Sequence, residues 1–144
     1  MPNSSTICVD ANLVIRLVAD ANDELVHHLW ERWDTEKKSL IAPHLLYFEV
    51  SNALHQYQKH GYLSPHAVGL ALQAALALDI KLQGTNNLHQ HALKIARRHA
   101  LPAAYDAHYL ALAQQFDAEF WTADRRLVHT VQNTLPWVHF VGAN

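Results

Sequence analysis

The segment from Ala104 to Leu127 constrains the fold most, because it joins an amphipathic helix to a short strand and places an aspartate beside each. Apolar residues recur at helical spacing after Pro102, and Asp106 falls in the first helical turn, where the helix dipole favours a carboxylate. A strand is predicted at 120–122, and Asp124 follows it at the start of another helix. In open α/β sheets both positions face the crevice that binds ligands. The segment therefore predicts an α/β fold with both aspartates at one site.

Length and composition fit one globular domain. The chain has 144 residues, half of them hydrophobic, and no low-complexity tract or repeat marks a boundary, so we expect residues 1–144 to form one domain. The single cysteine, Cys8, allows no internal disulfide framework. No apolar run reaches the roughly 20 residues that span a bilayer, and we see no signal peptide. A net charge of −2 argues against coating nucleic acid by bulk electrostatics. We expect a cytoplasmic protein without membrane partners.

Strand and helix patterns alternate along the whole chain. The predicted strands are Thr6–Val9, Ser39–Ala42, Asp79–Leu82, Phe120–Thr122 and Trp137–Val141. The predicted helices are 12–19, 23–33, 43–59, 64–78, a helix capped by Thr85 or Asn86 that runs to His99, 104–116 and 124–133. This alternation predicts a mostly parallel sheet of about five strands between helix layers, which is a three-layer α/β/α sandwich.

Four acidic residues stand where an unpaired carboxylate is costly. Asp10 ends the first strand, and Glu49 lies on the apolar side of the helix after the second strand. Together with Asp106 and Asp124 they would repel one another unless a divalent cation neutralised them. Carboxylate oxygens select hard ions such as Mg²⁺ or Mn²⁺, and such an ion activates a water for attack on a phosphodiester. The four acids therefore predict a metal-dependent hydrolytic site.

Each acid also has a simpler interpretation when it is taken alone. Asp10 or Asp124 could cap a helix. Glu49 could pair with a nearby arginine, and Asp106 could serve only as a partner of the helix dipole. The coincidence of four such positions favours the cluster.

Four segments around these acids resemble PIN-domain ribonucleases, and most of all the VapC toxins of bacterial toxin–antitoxin pairs. They are ICVDANLVIRL around Asp10, PHLLYFEVSNAL around Glu49, AAYDAHYLALA around Asp106 and FWTADRRL around Asp124, in family order. The resemblance implies a PIN fold, metal-dependent RNA cleavage and inhibition by a cognate antitoxin. It also implies that Asp10 and Asp106 are the principal metal ligands, that Asp124 completes the pocket, and that Glu49 holds the metal or its water.

Five further residues stand close to these acids in the sequence. Asn12 and Thr122 match family polar positions that orient water or a ligand. Arg16, Arg125 and Arg126 either contact RNA phosphates or form a solvated basic helix face. The acidic pocket itself would accept a guanidinium from an antitoxin arginine in a bidentate fork.

Single residues argue against two other classes of protein with an acidic site. A phosphatase that forms an aspartyl-phosphate would need a second aspartate where Asn12 stands, and a phosphoreceiver domain would want a lysine that 137–140 lacks. A non-cleaving PIN-fold module that binds RNA or protein stays open as an alternative.

Ala67–Leu78 is apolar nearly all round, which predicts burial on more than one face and a homodimer. The pairs His27-His28 and His89-Gln90-His91 are expected at the surface.

Overall fold

The computed structural model describes residues 3–142 and confirms the predicted alternation of strands and helices. The strands are β1 (Asn3–Val9), β2 (Ser39–Pro43), β3 (Ile80–Gln83), β4 (Ala118–Thr122) and β5 (Val138–Phe140). The helices are α1 (Ala11–Ala19), α2 (Glu24–Thr35), α3 (Leu46–Lys59), α4 (Pro65–Leu76), α5 (Asn87–Arg98), α6 (Tyr105–Gln115) and α7 (Arg125–Val131). Each lies within a few residues of its predicted position.

The five strands form one sheet in the order β3-β2-β1-β4-β5, and every pairing is parallel. Cys8 of β1 pairs with Ile41 on one side and with Phe120 on the other. The chain builds the sheet outward from β1 to β3 and then returns to add β4 on the opposite side. The gap between β1 and β4 is therefore a topological switch point, where parallel sheets form a crevice at the carboxyl ends of their strands.

Burial along β1 shows that both faces of the sheet are covered. Ile7, Cys8 and Val9 are consecutive, so their side chains point to alternate faces, yet all three are buried. Trp33, Tyr109 and Phe120 are the largest side chains in the core around them. This agrees with the predicted three-layer α/β/α sandwich.

No helix in residues 3–142 combines the length and the apolar character that crossing a bilayer requires.

Helix α4 differs from its prediction. Only Ala71 and Ala75 of this helix are buried, whereas Leu70 and Leu76 are 54% and 57% exposed. Within one chain the helix is therefore covered on a single face. Its outer face is apolar and uncovered, and a homodimer remains a prediction.

The predicted helix caps give two different outcomes. Ser64 caps α4 as expected, since its hydroxyl accepts from the Ala67 N–H at 3.1 Å. At α5 the predicted side-chain cap is wrong for Asn86, which occupies the N-cap position without a capping hydrogen bond. The Thr85 carbonyl instead accepts the Leu88 N–H at 3.0 Å, so the backbone itself satisfies this helix start.

Candidate active site

The four predicted acids line one cavity of about 360 Å³, which we call the acidic cavity. Asp10 directly follows β1, and Asp124 lies two residues beyond β4. Glu49 and Asp106 project from the first turns of α3 and α6. The cavity therefore lies at the switch point of the sheet, and the structure brings together the four acids that the sequence singled out.

Thr122 is the hydrogen-bonding centre beneath this cavity. It is fully buried, and its Oγ1 lies 2.7 Å from Asp10 Oδ2. The same oxygen accepts from Asn12 Nδ2 at 3.2 Å and from the Asp124 N–H at 3.0 Å. A hydroxyl has one proton and two lone pairs, so two N–H donors leave its proton for Asp10. Thr122 therefore fixes one oxygen of the Asp10 carboxylate.

Asn12 links the loop after β1 to the loop after β4. Its Oδ1 accepts from the Ala123 N–H at 3.1 Å, which orients the amide, because a backbone N–H can only donate. Its Nδ2 is then directed to Asp10 Oδ2 at 3.3 Å as well as to Thr122. Both polar residues that were predicted to orient a ligand thus bind Asp10 itself.

Asp10 is the most perturbed carboxylate of the cavity. It is only 5% exposed, and its side chain does not cap α1, so the simple cap interpretation is wrong for this residue. Burial raises the pKa of Asp10 to about 7, against the Thr122 hydrogen bond, and the charges of Asp106 and Glu49 raise it further. The site therefore stabilises a proton, or another positive charge, at Asp10.

Glu49 is held by Tyr109, a residue of α6. The Tyr109 hydroxyl donates to Glu49 Oε1 at 2.7 Å, and the tyrosine is almost completely buried. Burial raises the pKa of Glu49, and the Tyr109 hydrogen bond partly offsets the rise. None of the ion pairs in residues 3–142 involves Glu49, so the predicted alternative of an arginine partner does not occur there.

Spacing within helices could have identified two missed residues. Tyr109 lies three residues after Asp106, and Asn52, which lines the acidic cavity, lies three residues after Glu49. Residues separated by three share one helix face. A polar or hydroxyl-bearing side chain three residues after a predicted acid could therefore have been predicted to lie at the same site.

Asp106 and Asp124 complete the cavity with different supports. Burial raises the pKa of the half-buried Asp106, and the charges of Asp124 and Glu49 add to the rise. Asp124 Oδ1 accepts from the Leu127 N–H at 3.1 Å and so caps α7. The cap and the cavity positions of Asp124 are thus compatible, because the cap occupies only one carboxylate oxygen.

The three predicted RNA-contacting arginines lie outside the lining of the acidic cavity. Arg16 Nε pairs with Asp23 Oδ2 at 2.7 Å, and its Nη1 donates to the Val141 carbonyl at 3.2 Å. Arg125 and Arg126 are exposed on α7, and the Arg125 guanidinium lies 5.3 Å from the centre of the Phe140 ring. Arg16 thus has a structural role, and RNA contact by any of the three stays a prediction.

The donor set fits a hydrated divalent ion. No three His, Cys, Asp or Glu side chains in residues 3–142 converge closely enough to enclose a metal by themselves. Mg²⁺ usually keeps several waters and binds through one or two carboxylates plus substrate phosphates, so such enclosure is not required. Three carboxylates around this cavity have raised pKa values, so their negative charges are poorly compensated by the protein. A cation that binds their oxygens would supply that compensation.

The fold and the site define an α/β protein with an acidic cavity at the switch point of a parallel sheet. The profile of the PIN domain matches residues 7–132, and the chain belongs to this family, whose members are generally nucleases. The PIN resemblance predicted from the sequence is thereby confirmed.

Solved structures that share this fold include the following two. One is a crystal structure of PAE2754 from Pyrobaculum aerophilum, with 23% identity and a TM-score of 0.67 over 87% of this chain and 84% of that chain. The other is a toxin–antitoxin complex from Klebsiella pneumoniae, with 16% identity and a TM-score of 0.66 over 92% of this chain and 94% of that chain. No curated protein sequence matches the chain.

Proposed function

We propose that this protein is a ribonuclease that requires Mg²⁺ or Mn²⁺, hydrolyses RNA phosphodiester bonds, and acts as the toxin of a toxin–antitoxin pair. The observation that carries the proposal is the acidic cavity itself, in which the pKa of buried Asp10 is raised to about 7 among neighbouring acids. A divalent cation would offset both the burial of these acids and their mutual repulsion, and it would supply the positive charge that cleavage of a phosphodiester needs. Membership of the PIN family supports the nuclease class.

Each acid has a proposed role toward the ion. Asp10 and Asp106 are its principal ligands, Asp124 completes the pocket, and Glu49 holds the ion or its water. When bound, the ion supplies the Lewis acidity that activates a water and stabilises the charge of in-line attack on the phosphodiester.

The chain's other residues prepare these acids before the ion binds. Thr122 and Asn12 hold Asp10 Oδ2, so the orientation of this carboxylate is set by the fold. Tyr109 occupies Glu49 Oε1, and burial keeps the pKa of this tyrosine far above its usual range, so it remains a hydrogen-bond donor. The other oxygen of Glu49 keeps both of its acceptor positions for a water or the ion. Preorganised ligands of this kind lower the cost of binding.

The proposed partners follow from charge and apolar surface. An antitoxin that places an arginine in the acidic cavity would satisfy two carboxylate oxygens at once and block the ion. The toxin–antitoxin complex that shares this fold supports such a partner. The apolar outer face of α4, with Leu70 and Leu76, is the proposed surface of a homodimer. We further propose that residues 1–144 are one domain that acts in the cytoplasm.

The test is cleavage of a 5′-labelled single-stranded RNA of mixed sequence by protein purified free of any partner. We expect cleavage with Mg²⁺ or Mn²⁺ and none with EDTA. Equal cleavage in EDTA would contradict metal dependence. RNA binding without cleavage at any metal concentration would instead identify a non-cleaving PIN-fold module.

A further inference from the structure

A second cavity of about 490 Å³ lies at the same edge of the sheet as the acidic cavity. Pro43 and Gly84, at the carboxyl ends of β2 and β3, both line it. Because β2 neighbours β1, this cavity is next to the acidic cavity along the sheet edge. We call it the side cavity. Its lining includes His44, Leu45, Leu88, His89, Tyr105 and His108.

The amino-terminal ends of α3 and α6 carry residues of both cavities. Tyr105 of α6 lines the side cavity, and the next residue, Asp106, lines the acidic cavity. On α3 the Glu49 N–H donates to the carbonyl of Leu45, one helical turn earlier, and these two residues also line one cavity each. A molecule that spans this short distance would contact both cavities.

The wall of the side cavity is suited to a flat, uncharged group. Leu45 and Leu88 supply apolar surface, and the Tyr105 ring is 63% exposed at the first turn of α6. None of its lining residues in the described chain is acidic, so phosphates nearby are not repelled as they are at the acidic cavity. Its volume lies within the roughly 300–1,000 Å³ of small-molecule sites.

Two histidines of the wall form a hydrogen-bonded pair in which the donor and the acceptor can be assigned. His108 Nδ1 lies 2.7 Å from the Ala104 carbonyl, which can only accept, so this nitrogen carries a proton. His108 Nε2 lies 3.0 Å from His89 Nδ1, so in the neutral pair His89 donates and its own Nε2 is the remaining acceptor. The side cavity thus combines an aromatic ring with an oriented ring nitrogen.

We propose that the side cavity binds an unstacked nucleobase of the RNA strand whose phosphate lies at the acidic cavity. The base stacks on Tyr105, and the His89–His108 pair hydrogen-bonds to the base edge. Stacking on an aromatic ring with hydrogen bonds to the edge is how proteins read single-stranded RNA. This inference rests on the proposed function, because it assumes an RNA substrate.

The test measures RNA affinity without cleavage. Fluorescence anisotropy at low salt, with Ca²⁺ in place of Mg²⁺ so that a cation neutralises the acidic cavity, compares a labelled RNA hexanucleotide with versions in which one nucleotide at a time is abasic. Gel electrophoresis of the same samples checks that the RNA stays intact. All versions carry the same phosphate charge, so the comparison isolates the base. We expect one position at which base removal weakens binding about tenfold, as aromatic stacking predicts.

Paired variants assign this effect to the side cavity. Tyr105→Ala is expected to abolish the tenfold penalty, whereas Tyr105→Phe keeps it, and Tyr62→Ala controls for loss of another exposed aromatic. With each of the four bases at the sensitive position, His89→Gln should change the base preference. His91→Gln, an exposed residue of the same helix outside the cavity lining, should not change it.

Two results would overturn the inference: equal affinity for intact and abasic RNA at every position, or a base effect that survives Tyr105→Ala. Either would leave the side cavity to a protein segment. Cleavage with Mg²⁺ but without the base effect would reject this inference and keep the proposed function. The base effect without cleavage would reject the nuclease and keep the base site.

Discussion

The two sides of the acidic cavity are built differently. On the strand side, Asp10 is buried and its Oδ2 receives hydrogen bonds from Thr122 and Asn12. On the helix side, Glu49 and Asp106 are half-buried, and only Glu49 has a described side-chain donor, Tyr109. On the strand side, hydrogen bonds fix the carboxylate of Asp10, but burial makes its negative charge unfavourable. On the helix side, the carboxylates are less buried and receive fewer hydrogen bonds. Variants should separate the two.

The largest expected effect is on cleavage. Asp10→Asn and Asp106→Asn should each reduce metal-dependent RNA cleavage by 100-fold or more (about 3 kcal/mol at 1.36 kcal/mol per tenfold), because each removes a proposed ligand. Thermal melting measured alongside should show folded proteins. Asp79→Asn, an exposed acid at the opposite end of β3, is the matched control. Full activity in either variant would reject the assigned ligands.

The next effect concerns stability and pH in the absence of metal. The pKa of Asp10 is about 7 in the folded protein and about 3.9 when unfolded, so folding favours the protonated form. Its contribution is present below about pH 4 and is lost as pH rises to 7, by at most about 4 kcal/mol. Denaturant unfolding in EDTA should show this loss in the wild type relative to Asp10→Asn. Parallel pH profiles for the two proteins would contradict the burial of charge at Asp10.

Loss of the Thr122 hydroxyl tests the support of the strand side. Thr122→Val should destabilise the protein by about 2–3 kcal/mol, because it removes the donor to Asp10 and the acceptor for two N–H groups. Thr122→Ser keeps the hydroxyl and should cost about 1 kcal/mol for the lost methyl group. Thr130→Val, on an exposed site of α7, is the control in urea unfolding. A loss for Thr122→Val no larger than that for Thr130→Val would contradict the described contacts of the Thr122 hydroxyl.

Tyr109 tests the support of the helix side. Tyr109→Phe should cost about 1 kcal/mol, since it removes one hydrogen bond and keeps the ring that packs against Phe120. It should also raise the pKa of Glu49 further, because the hydrogen bond lowers it. Carboxyl-detected NMR titration measures this shift, with Tyr62→Phe as the exposed control. A Glu49 pKa that falls would contradict the described contact.

The smallest effect concerns the basic residues beside the cavity. Arg125→Ala with Arg126→Ala should lower the salt dependence of RNA binding, by about 0.7 in slope for each lost phosphate contact. Mn²⁺ affinity by titration calorimetry should stay nearly unchanged. The exposed pair Arg97 and Arg98 on α5 provides a matched double variant. An unchanged salt slope would assign the α7 arginines to a solvated basic face.

The fold and the clustering of the four acids in one cavity were predictable from the sequence because both depend on local patterns. Asp10 follows an apolar, β-branched run, and Asp124 follows another apolar strand. Each pattern places its acid at a strand end, whichever strand lies beside it. Parallel pairing then brings strand ends together at one edge. Glu49 was predictable for the same reason, as an acid on an apolar helix face.

The contacts between elements were not predictable in the same way. Thr122 was expected only to orient a ligand, and its hydrogen bonds to Asp10 and Asn12 depend on the pairing of β1 with β4. The His89–His108 pair depends on how α5 packs against α6. His89 was expected at the surface, and it is exposed. Its hydrogen bond to His108, 19 residues away, fixes which ring nitrogen of His89 donates, and the sequence alone did not predict this contact.

The link between Asp10 and Thr122 joins residues 112 positions apart, which has a consequence during synthesis. Closing so long a segment is entropically unfavourable until β4 can pair with β1. A nascent chain that already contains Asp10, Glu49 and Asp106 therefore lacks the hydroxyl that fixes Asp10, and the site is completed only after Thr122 has left the ribosome. The acidic cavity therefore reaches its final geometry only late in synthesis, after β4 has been made.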